Sequence, residues 1–296
     1  MSKPDAYAAH EALVAPGRSK PEIWRLFLGL ALISVFVLAC NTAVLAAVSR
    51  FASPEWTESF LAGTTPSGLL LLLSSFLFVT LGVALAARFV NKRRFWGILG
   101  QPHLAASQFW RVFRTLVGLG VVLLILPPYD MGEPLEDNLS LGLWLPLLPL
   151  SLVAIGLQTS AEEILFRGYV QQAIAARFRS RIVWMVLPSL LFALGHYLPA
   201  EAGENALLIA LWSFVFGMFT ADITARSGTL GPAIAMHLFN NMVALLIVAL
   251  PGSLSGLSLY LLPYDMADTE SLRAWLAVDF AVMFVAWLAA RVALRR

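Results

Sequence analysis

Long apolar runs separated by short polar segments dominate this chain. A helix that crosses a bilayer needs ~20 mostly apolar residues. Runs of that kind predict helices at roughly 23–49, 67–90, 109–127, 141–160, 182–198, 204–225, 230–250 and 272–293. The pattern therefore predicts an all-α, polytopic membrane protein of about eight transmembrane helices. Loops 50–66, 127–140 and 251–271 are punctuated by Pro and Gly and have acidic or amphipathic character. No internal repeat or separate soluble domain interrupts the pattern. Four stretches follow: a tail at 1–22, read as disordered; N-terminal transmembrane helices at 23–140; a core at 141–250; and a C-terminal loop and helix at 251–296.

Composition strengthens this reading. The chain has 296 residues, 59% hydrophobic and 13% charged, with mean hydropathy +0.78, against about 25% charged residues in soluble domains. Residues 1–22 are polar and precede a run too long for a cleavable leader. The one cysteine, Cys40, excludes an internal disulfide. No Gly-rich phosphate loop is present, and no nucleic-acid partner is expected. Charge sets the orientation, because Lys and Arg collect in cytoplasmic loops. With the N-terminus inside, 17 of the 20 basic residues fall on cytoplasmic segments and helix ends, the exceptions being Arg50, Arg167 and Arg273. The outer loops carry acids such as Glu55, Asp130, Glu133, Glu201 and Asp265. The expectation is a multi-pass protein of the inner (plasma) membrane with both termini cytoplasmic.

Ionisable side chains within spans are costly and mark functional sites. Here they are Glu162, Glu163, Arg167, His196, Asp222, His237 and Asp279, with Asn240 and Asn241 as buried amides. In SAEEILFRGYVQQ, Glu163 and Arg167 are i,i+4 neighbours in the favourable acid-first order. Glu162 points about 100° away, so Arg167 neutralises one glutamate and leaves the other free. The competing reading is an architectural ion pair with a spare acid. His196 mirrors Glu162 across the arginine-rich turn near residue 179; each lies about 25 Å from that turn along an ideal helix. His237 and Asn241 are i,i+4 and aim at one point. They fit either interhelical hydrogen bonding or a site. Asp279 is expected to face inward, beside a hydroxyl or amide.

Glu162-Glu163-xxx-Arg167, Phe192-xxx-His196 and His237-xxx-Asn241, in that order in a membrane protein, resemble the CPBP family. These are intramembrane peptidases, also called the CAAX-protease and bacteriocin-processing or Abi family. The resemblance covers roughly 155–250 and includes the approach RSGTLGPAIAMHLFNN. HExxH, GxGD and GxSG are absent, so site-2-like, aspartyl and rhomboid-type sites lack their signatures.

The resemblance implies an active site among the central helices that hydrolyses a peptide bond in a membrane-associated or lipid-anchored protein or peptide. It implies that Glu162 and His196 activate water, that His237 and Asn241 face the oxyanion, and that Glu163 and Arg167 support them. A cofactor is not required in that scheme. The alternative is a zinc ion held by Glu162, His196 and His237, an open carboxylate–His–His set. The expected partners are the bilayer and a hydrophobic or lipid-anchored peptide. A non-catalytic scaffold, assembly factor or immunity protein is the alternative function. A transporter would show inverted repeats, which the chain lacks. Counted from about residue 230, His237 and Asn241 lie roughly 10–16 Å along their helix, so the site is expected in the cytoplasmic half of the bilayer.

Overall fold

The computed structural model describes residues 5–125 and 134–295. Lys3, Asp130, Glu133 and Arg296, and most of the apex of loop 127–140, lie outside the described residues. The chain is all-α apart from three two-residue strands, Glu136–Asp137, Val248–Ala249 and Tyr260–Leu261, which tie loops together.

The expectation of about eight spans does not hold. Among the described residues, five helices are long and apolar enough to cross a membrane: Ile23–Phe51, Pro66–Phe89, Leu141–Arg177, Pro199–Ser227 and Ser271–Leu294. The run at 182–198 folds as Arg181–Leu194, only 14 residues, or about 21 Å against ~30 Å of hydrocarbon. The run at 109–127 lies in Pro102–Ile125, whose N-terminal part is interrupted by His103, Gln108, Arg111 and Arg114. The run at 230–250 forms 12 α-helical residues, Gly231–Met242, and then a π-helical turn, Val243–Ile247.

That short helix is the centre of the molecule. It packs against Pro102–Ile125, Leu141–Glu163, Ala206–Ser227 and Ser271–Leu294. Protein rather than lipid surrounds it, so it needs neither spanning length nor an apolar surface all round. Its entry is a tight turn: Gly228 ends the preceding helix at φ 73°, a left-handed position suited to glycine. Ser227 Oγ donates to the Thr229 carbonyl at 2.9 Å, and Thr229 Oγ donates to Gln108 Oε1 at 2.6 Å. Pro232 then occupies the first helical turn, where its missing N–H costs nothing.

The N-terminal segment is not the disordered tail that its polarity suggests. Residues 8–17 form successive short helical turns. They bury His10, Leu13 and Val14, with Val14 in the cluster of Ala175, Ala176 and Trp184. Three apolar or aromatic contacts within five residues outweigh the polar neighbours, a spacing too short to register as a run.

Candidate active site

Helix Leu141–Arg177 carries Glu162, Glu163 and Arg167, and the central helix brings His237 against them. His237 Nδ1 lies 2.8 Å from Glu163 Oε1. Arg167 Nη1 donates to the same oxygen at 3.2 Å. His237 Nε2 lies 3.4 Å from Glu162 Oε2, an ion-pair contact without hydrogen-bond geometry. Glu163 and Arg167 are fully buried, and the Glu162 side chain is 13% exposed. One imidazole therefore stands between two adjacent carboxylates. The helix widens into a π-helical turn, Ile164–Val170, directly after the glutamates, a distortion common at functional sites.

Aromatic rings wall this cluster. Phe216 and Phe192 lie 5.0 and 6.0 Å from the His237 ring, both edge-on. The Arg167 guanidinium sits 4.8 Å from the centre of the Phe192 ring. Low-polarity walls strengthen the charge interactions they enclose.

His196 is placed differently from its mirror-image expectation. It lies just beyond the end of Arg181–Leu194, where its Nδ1 donates to the Phe192 carbonyl at 2.9 Å. Its ring lies 4.4 Å from that of Phe192, whose ring also meets His237. Among the described residues no hydrogen bond or ion pair joins His196 to Glu162; the imidazole facing Glu162 is that of His237. Equal helix lengths on either side of the turn underlie the mirror argument, and the early end of the second helix breaks that symmetry.

Asn241 donates through Nδ2 to Gln158 Oε1 at 2.8 Å and accepts at Oδ1 from Asn240 Nδ2 at 3.2 Å. Sequence reasoning passed over Gln158, whose signal is its place one helical turn before Glu162. Asp222 is architectural. It accepts from Tyr7 Oη at 2.6 Å, Arg226 Nε at 2.8 Å and Trp287 Nε1 at 3.0 Å, tying three segments together. Asp279 is half-buried in the last helix, with the Trp212 indole as its polar neighbour. A zinc set of Glu162, His196 and His237 does not fit this arrangement. Both nitrogens of His237 face carboxylates, and among the described residues no three His, Cys, Asp or Glu side chains group as a metal site.

Residues 142–243 match the family model for type II CAAX prenyl endopeptidase Rce1-like proteins. The chain is also 26% identical over 259 residues to Uncharacterized protein YyaK of Bacillus subtilis (strain 168), spanning 83% of this chain and 84% of that one. No solved structure matches the chain significantly. The matched segment 142–243 contains both glutamates, Arg167, His196, His237 and Asn241, so the similarity to Rce1-like CAAX endopeptidases covers the whole cluster.

Proposed function

We propose that this intramembrane endopeptidase cleaves a hydrophobic or lipid-anchored peptide, with Glu162 as the base that activates water. The observation that carries the reading is the His237 imidazole held between Glu162 and Glu163, with Arg167 on the far side of Glu163. Each glutamate keeps one oxygen without a hydrogen-bond partner among the described residues, but Glu163 is fully buried and held by Arg167 and His237, whereas the Glu162 side chain is 13% exposed and open to water. Glu162 is thus the carboxylate able to take a proton.

In this scheme a water bound by Glu162 attacks the scissile carbonyl carbon and gives its proton to Glu162. The carbonyl oxygen becomes an oxyanion that accepts the spare N–H of Asn241, the kind of contact that strengthens as charge develops. Glu162 returns the proton to the amide nitrogen as the C–N bond breaks, leaving a carboxylic acid and an amine. His237 holds the carboxylates at their working separation. His196, whose Nε2 has no hydrogen bond among the described residues, is the second imidazole beside the aromatic wall.

Orientation follows from charge. Tyr7 of the N-terminal segment and Trp287 of the last helix meet at Asp222, which supports reading both segments at one face of the molecule. Arg18, Arg25, Arg93, Arg181, Arg226 and Arg291 gather around the same face. The positive-inside rule supports reading that face as cytoplasmic, and the proposal is an inner (plasma) membrane protein with the site in the cytoplasmic half.

The test uses purified protein in micelles and a quenched-fluorescent farnesylated CAAX peptide. Glu162→Gln keeps the shape and removes the base, so cleavage should fall by about 10²–10⁴-fold, the usual contribution of a general base. Cleavage by Glu162→Gln at the wild-type rate would sink the assignment.

A further inference from the structure

We propose that Gln158 is a positioning residue that sets which end of the Asn241 amide faces the substrate. The inference rests on the reading of Asn241 as the oxyanion donor. Gln158 is 7% exposed and lies one turn before Glu162, on the same face of the same helix. Its Oε1 accepts from Asn241 Nδ2 at 2.8 Å, across the gap between the glutamate helix and the central helix.

A carboxamide has one acceptor oxygen and two N–H donors. Asn240 Nδ2 occupies the Asn241 oxygen at 3.2 Å, and Gln158 takes one of the two N–H groups. What remains on the donor side is one N–H, the function an oxyanion requires. In the flipped amide, the Asn241 oxygen would meet the Gln158 carbonyl, acceptor against acceptor. It would also withdraw the acceptor from the Asn240 side. Gln158 therefore selects the polarity of Asn241 and tethers the two catalytic helices at that level.

Three variants and one combination test this with the same farnesylated peptide. Asn241→Ala should lower kcat by about 10²–10³-fold, as loss of an oxyanion donor does. Gln158→Met keeps the length and removes the acceptor. It should lower kcat by about 10–10²-fold through misplacement, with KM changed by less than about twofold. Gln158→Glu can only accept, so it should retain most of the kcat that Gln158→Met loses. Gln158→Met added to Asn241→Ala should cost nothing further, because residues acting through one contact are not additive. Equal thermal unfolding of the variants in detergent controls for folding.

If Gln158→Met leaves kcat unchanged, or its loss persists in full on Asn241→Ala, Gln158 does not act through Asn241. Equal losses for Gln158→Glu and Gln158→Met would reverse the amide polarity and overturn the proposal. If Asn241→Ala itself cleaves normally, the oxyanion reading fails, and this inference fails with it.

Discussion

Glu162, Glu163, Arg167 and His237 share one buried point, and their charges explain why they occur together. Arg167 pairs with Glu163, and the His237 imidazole stands between the two carboxylates. Arg167 is fully buried, and Phe192 covers its face. Removing it leaves Glu163 with an uncompensated charge in a low-dielectric site. Arg167→Met should therefore destabilise the fold by about 3–5 kcal/mol, read as a lower unfolding midpoint in detergent. Arg167→Lys should restore little, because an ammonium cannot stack its flat face on Phe192 as guanidinium does. Unfolding of Arg167→Met within about 0.5 kcal/mol of the parent, the range of neutral surface changes, would refute the pairing. The Glu163–Arg167 pair was legible in the sequence because both residues lie within one helical turn. The meeting of His237 with both glutamates was not, since it spans 74 residues and depends on how helices pack. The motif resemblance named the residues but paired Glu162 with His196, whereas the imidazole facing Glu162 is that of His237.

At the level of the element, the central helix is held by close backbone approach. A methyl group at Gly231 would overlap the backbone carbonyl of Ala105 in the neighbouring helix. Backbone on both sides leaves no flexible side chain to yield. Gly231→Ala should cost about 1–3 kcal/mol, the usual penalty of overpacking, and should lower cleavage by displacing His237 and Asn241. Gly156 is the control: it lies within Leu141–Glu163 with open space where a methyl would go. Gly156→Ala should be neutral or slightly stabilising, because helical glycine costs about 0.5–1 kcal/mol relative to alanine. Matching unfolding curves for the two variants would refute the close-approach account. Hydropathy revealed where apolar helices lie, and four of the five long ones follow it closely, whereas the run at 141–160 continues to Arg177. It could not reveal that Gly231–Met242 packs among four other helices, since apolar residues facing lipid and those facing other helices read alike. The two prolines at 146 and 149 likewise did not stop Leu141–Glu163 from continuing through the glutamates.

On the scale of the whole molecule, the N-terminal segment closes the basic face. The alternation of charge made that face legible. The docking was not, because it rests on Tyr7, His10, Leu13 and Val14 rather than on a hydrophobic run. His10 packs 4.6 Å from the Trp184 ring, and its Nε2 lies 3.4 Å from Gln171 Nε2. Burial pushes its pKa from the ordinary 6.5 down to about 4; Arg18 adds to the effect and Glu11 opposes it. The undocked segment therefore binds a proton more readily than the docked one. Docking is full above about pH 6.5 and weakens as pH falls toward about 4. Val14 is 1% exposed, so a cysteine there, with Cys40→Ser to remove the native thiol, reports release. In sealed inside-out vesicles, maleimide labelling of Val14→Cys should rise on going from about pH 7 to about pH 5, relative to the same protein carrying His10→Asn. The asparagine cannot be protonated, which cancels the thiol's own pH dependence. Right-side-out vesicles should stay unlabelled at both pH values. Identical labelling ratios with and without His10→Asn would mean that His10 does not control docking. Labelling confined to right-side-out vesicles would place the basic face outside and reverse the orientation proposed for the whole chain.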